Sequence, residues 1–90
     1  MALYTFTMDY RGGTYISQTE AATIEKAKFK WVTELDTHTI KHLGVKTKDA
    51  LIKDILEDET VSIKTIKNVW ISCASIKGGF VTVHIIKTEK

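Results

Sequence analysis

The sequence predicts an α+β two-layer sandwich in the order ββ-α-α-ββ: a four-stranded antiparallel sheet made of two hairpins, with two helices packed on one face. Two observations carry this. A basic residue and two glycines sit between alternating, strand-like runs twice, at Arg11-Gly12-Gly13 and at Lys77-Gly78-Gly79. The apolar residues between these copies recur at helical spacing instead. Glycine reaches the positive φ angles that reversing a twisted strand pair requires, so each triplet reads as a tight hairpin turn.

From Leu3 to Tyr10 the chain alternates, with Tyr4, Phe6, Met8 and Tyr10 on one side and Thr5, Thr7 and Asp9 on the other. That is the period of a half-buried strand. A three-residue Arg11-Gly12-Gly13 loop pairs Tyr10 with Thr14 and Met8 with Ile16, keeping the apolar side chains together. A two-residue Arg11-Gly12 loop moves Ile16 to the polar side and is rejected on burial. A helix is expected from Ser17-Gln18-Thr19-Glu20, where Ser17 or Thr19 serves as N-cap. Its stripe is Ala21, Ile24, Ala27, Trp31 and Leu35 with Val32 beside it, while Lys26, Lys30 and Glu34 face solvent. Phe29 falls off the stripe.

Residues 36–44 read as an irregular connector. A second helix is expected from Thr47 to about Glu57, with Leu51 and Ile55 on its apolar side and Glu57-Asp58-Glu59 left in solvent. Residues 60–67 are transitional. The last two strands run from about Val69 to Ser75 and from Phe80 to Ile86. With a three-residue turn, Ile76 meets Phe80 and the core face is Val69, Ile71, Cys73, Val81, Val83 and Ile85. The hairpins meet in the order 2-1-4-3 or 1-2-3-4, and both basic turns then share one end of the sheet.

Ninety residues support a single domain over 1–90 that buries about 60 to 65% of its unfolded surface. Thirteen basic and eleven acidic residues, well mixed and giving a net charge of +2, supply no strong field for a polyanion or an acidic membrane. One cysteine, Cys73, forms no intrachain disulfide. The start Met1-Ala2-Leu3-Tyr4-Thr5 lacks the blocks of a signal peptide, so a cytoplasmic location is expected. No apolar run is long enough to span a bilayer.

In the expected register the outer sheet face carries Thr5, Thr7, Asp9, Tyr15, Ser17, Trp70, Ser72, Thr82, His84 and Ile86. The favoured function is a small non-catalytic interaction protein that binds a protein partner or a second copy of itself. Tyr15, Trp70, His84 and Ile86 are the contacts, and Arg11 and Lys77 form a polar rim. The second strand adds an edge, since Thr14 to Gln18 carries no lysine, proline or glutamate to blunt it. The alternative is a nucleic-acid module that stacks bases on Tyr15, Trp70 and Phe80 beside Arg11, Lys77 and Lys87. An enzyme is the third reading. Parity places Cys73 and His84 on opposite faces, and the facing Ser72 and His84 lack a third group. His38 and His42 have the i, i+4 spacing of metal ligands without further partners, so no metal or cofactor is expected. Arg11, Lys77 and the turn amides of Gly12, Gly13, Gly78 and Gly79 are weighed as an anion site and read instead as turn chemistry.

Overall fold

The computed structural model describes residues 1–77 and 79–88. Strands β1 (Ala2–Tyr10) and β2 (Gly13–Ala21) are followed by helices α1 (Ile24–Thr33) and α2 (Val45–Glu57). Strands β3 (Val61–Ser62), β4 (Val69–Ile76) and β5 (Gly79–Thr88) complete the chain. The strands form one antiparallel sheet in the order β2-β1-β5-β4-β3. This is the expected α+β architecture with the hairpins joined through the first and last strands. It gains a short fifth strand from the segment read as transitional. Tyr10 lies opposite Val81, which brings the two hairpin turns to the same end of the sheet.

Both turns are one residue shorter than expected, and this is the main correction. Tyr10 pairs with Gly13 and Ile76 pairs with Gly79. In the first turn Arg11 and Gly12 have φ of 49° and 80°, the left-handed pair of a type I′ turn, whose twist matches that of the strands it joins. The geometry of the turn outweighs the burial of one isoleucine. Gly13, Tyr15, Ser17, Thr19 and Ala21 therefore look toward the helices, and Ile16 is 68% exposed on the open side. In the second hairpin β5 keeps its expected parity, with Val81, Val83 and Ile85 buried. β4 is inverted: Trp70, Ser72, Ala74 and Ile76 face inward, and Val69, Ile71 and Cys73 face out. Gly78 lies outside the described residues.

Helix boundaries shift for related reasons. β2 runs on to Ala21, which pairs with Ala2, so α1 begins at Ile24 and not after Thr19. The Thr23 hydroxyl caps it by accepting the Lys26 N–H at 3.2 Å. α2 starts at Val45 behind Gly44, ahead of the expected Thr47 cap, and ends at Glu57 as expected.

The core lies between the helices and the inner sheet face. Phe6 stacks on Trp31 with ring centroids 4.8 Å apart and planes 3° from parallel. Tyr4 meets Trp70 at 6.3 Å in a tilted arrangement. Ile40 and Leu43 of the connector are buried, and the Tyr10 hydroxyl donates to the His42 carbonyl at 3.0 Å, tying that connector to the sheet. Among the described residues no helix is long and apolar enough to cross a membrane.

Candidate interaction site

Strand alternation decides what the uncovered face displays. One row crosses all five strands: Val61, Ile71, His84, Thr7 and Ile16. The next row is Val69, Ile86, Thr5 and Gln18, and the one on its other side is Cys73, Thr82, Asp9 and Thr14. Ile16, Val61, Phe80 and Ile86 are exposed there. Polar neighbours are held in place locally, with Thr14 donating to Asp9 at 2.7 Å and Gln18 donating to Thr5 at 3.2 Å.

Of the residues singled out from the sequence, His84 and Ile86 do lie on this open face. Tyr15 and Trp70 do not, because the shorter turns reverse the parity of β2 and β4. Trp70 is half-buried against Tyr4. The Tyr15 ring folds over Gly13, where an added Cβ would come within 2.8 Å of its hydroxyl, and that hydroxyl accepts the Lys41 N–H at 3.4 Å. Arg11 and Lys77 are exposed at the turn end of the sheet. Ser17 and Ser72 also leave the outer face, so Ser72 pairs with Val83 and no longer faces His84.

Cys73 and His84 share the open face, contrary to the parity expected to part them. They are offset by two residues, with Cys73 opposite Thr82 and His84 opposite Ile71. Such diagonal neighbours stand about 7–8 Å apart. His38 and His42 lie in a non-helical connector, and His42 has a left-handed φ of 65°, so the helical spacing that would align two imidazoles is lost. Among the described residues no three of His, Cys, Asp and Glu cluster as a metal site.

The two edges of the sheet are finished differently. β2 is outermost on one side, nine residues long. In a two-residue hairpin the closing pair exchanges both hydrogen bonds and alternate pairs follow suit. The N–H and C=O groups of Thr14, Ile16, Gln18 and Glu20 therefore point away from β1. On the other side β3 pairs with only Ile71 and Trp70, and carboxylates take over beyond it. Asp58 accepts the Cys73 N–H at 3.1 Å and the Ser72 hydroxyl at 2.9 Å, and Asp54 accepts the Ser75 N–H at 2.8 Å. Asp58 is thus an anchor of β4 and not the solvated carboxylate that its place at a helix end implied.

A lysine completes this anchor. Lys28 is buried, and its ammonium donates to the Asp58 carbonyl at 2.9 Å and to the Thr60 hydroxyl at 2.8 Å. Burial holds its pKa below the ordinary 10.5, against the opposing pull of Asp58 and Glu25. The signal was present in the sequence: Lys28 stands four residues after Ile24 and four before Val32, within the apolar stripe of α1.

Between β2 and the end of α1 the sheet is incompletely covered. A cleft of about 430 Å³ opens there, floored by Trp31, Leu35 and Ile40 and bordered by Tyr15, Ser17, Thr19, Glu34 and Asp36. No protein-family model, curated protein or solved structure matches the chain.

Proposed function

We propose that the chain is a non-catalytic interaction protein that binds another protein through the edge of β2 and the adjoining open face. One observation carries this reading: the β4 edge is closed by β3 and two carboxylates, whereas among the described residues no strand lies beyond the nine-residue β2 edge. Unpaired strand edges are templates for pairing with another chain, and folds that do not use them blunt them. Ile16 supplies the apolar contact at that edge, in one cross-strand row with Thr7, His84 and Ile71 on the open face. Tyr15 borders the cleft behind the edge, and Arg11 and Lys77 flank its turn end.

The nucleic-acid reading loses its stacking platform. Of Tyr15, Trp70 and Phe80, only Phe80 lies on the open face.

Replacing Ile16 by proline tests the reading, because the Ile16 N–H points outward and proline is tolerated at such edge positions. Partners retained by the wild-type chain from an extract of its host should be lost by Ile16→Pro, while the variant keeps its fold. Unchanged capture by a folded Ile16→Pro would refute the use of this edge.

A further inference from the structure

With β2 read as a strand acceptor, as proposed above, the surroundings of that strand point to what it accepts. Along β2 runs a groove in three adjoining sections, on the helix side near the turn and reaching the edge at Leu3, Glu20 and Lys30 in the third. The section nearest the hairpin turn, about 300 Å³, is bordered by Tyr15, Lys41 and His42. Tyr15 also borders the middle section of about 430 Å³, which in turn shares Gln18, Thr19 and Glu34 with a third section of about 440 Å³. The groove thus follows the strand for most of its length. A strand laid against β2 sends every second side chain to one face, at intervals of about 6.6–6.8 Å, so successive side chains would enter successive sections.

The middle section has a definite chemistry. Trp31, Leu35 and Ile40 give it apolar walls, and Glu34 and Asp36 give it two carboxylates, while no lysine, arginine or histidine borders it. One Asp36 oxygen accepts the His38 N–H at 2.8 Å, which fixes that carboxylate. Thr19 lines this section too, and no buried side-chain nitrogen or oxygen among the described residues lacks a hydrogen-bond partner. Apolar walls suit a methylene stem, and two carboxylates suit a cationic head. We propose that the groove takes an extended segment of another protein, paired with β2 as a sixth strand, with a lysine or arginine side chain seated in the middle section.

A second copy of the chain is a poorer occupant. The side chains β2 would itself send to this side are Tyr15, Ser17 and Thr19, none of them cationic, so self-pairing leaves the two acids unmatched.

The test is selection from a displayed library of random peptides about nine residues long, the length of β2. Enriched peptides should carry lysine or arginine at one fixed position about tenfold above its starting frequency. The double variant Glu34→Gln, Asp36→Asn should weaken the selected peptides about fivefold or more, and Ile16→Pro should abolish binding. Peptides that bind, are blocked by Ile16→Pro and show no basic preference would overturn this inference and leave the edge reading standing. An unenriched library, or peptides that still bind folded Ile16→Pro, would overturn both.

Discussion

The two edges of the sheet present the same backbone chemistry and receive opposite treatment. At the β4 edge, Ile63 donates to the Val69 carbonyl at 2.9 Å, β3 covers two residues, and Asp58 and Asp54 accept the next two outward N–H groups. A helix thereby finishes an edge that its neighbouring strand is too short to cover. At the β2 edge α1 lies alongside, and Glu34, the residue after its last turn, borders the cleft. Sealing an edge depends on where an adjoining helix ends and which way its last carboxylate turns. In this fold the asymmetry separates a covered edge from an open one.

Removing the seal should have the largest effect. Asp58→Ala leaves the buried Ser72 hydroxyl and the Cys73 N–H without their acceptor, at a cost of about 2–4 kcal/mol in urea unfolding. A cost under about 0.5 kcal/mol would show that the β4 edge does not depend on this carboxylate.

Lys28→Met should follow, at about 1–2 kcal/mol, since two hydrogen bonds from an ammonium are lost but so is its burial. Because the folded pKa lies below the ordinary 10.5, the unfolded chain binds a proton that the folded chain does not over the interval between the two values. Stability contributed by Lys28 therefore rises with pH through that interval. The cost of Lys28→Met should be larger near pH 10.5 than at neutrality, and a cost independent of pH would contradict the assigned environment.

The smallest effect belongs to the turn that sets the register of the open edge. Gly12→Ala places a Cβ at a φ of 80° with nothing within 4 Å of it, so the cost is conformational alone, about 1 kcal/mol. No measurable loss would argue against the type I′ turn and the parity it imposes on β2.

Much of the architecture was legible in the sequence. The alternation of Tyr4, Phe6, Met8 and Tyr10 fixed the inner face of β1, and Val81, Val83 and Ile85 fixed that of β5. Ala27, Trp31 and Val32 marked the buried side of α1. The errors share one cause. A three-residue loop would bury Ile16, yet the strand buries Thr19 and Ala21 instead, and a turn shorter by one residue reverses every side chain of β2 and β4. Tyr15 and Trp70 consequently lie on the helix side and not on the open face. The outermost place of β2 does not depend on this parity, and Thr14 to Gln18 lack blunting residues whichever way their side chains point, although the strand runs on through Glu20. The place of Lys28 in the stripe of α1 was legible, but its meeting with Asp58, about 30 positions away at a helix end, was hidden.

Hydrogen exchange at the two edges tests the central claim most directly. In dilute protein the amides of Cys73 and Ser75, bonded to Asp58 and Asp54, should exchange slowly, and those of Thr14, Ile16 and Gln18 should exchange fast and gain protection only with a bound partner. Slow exchange at Thr14, Ile16 and Gln18 in the dilute, unbound chain, equal to that of Cys73 and Ser75, would contradict it.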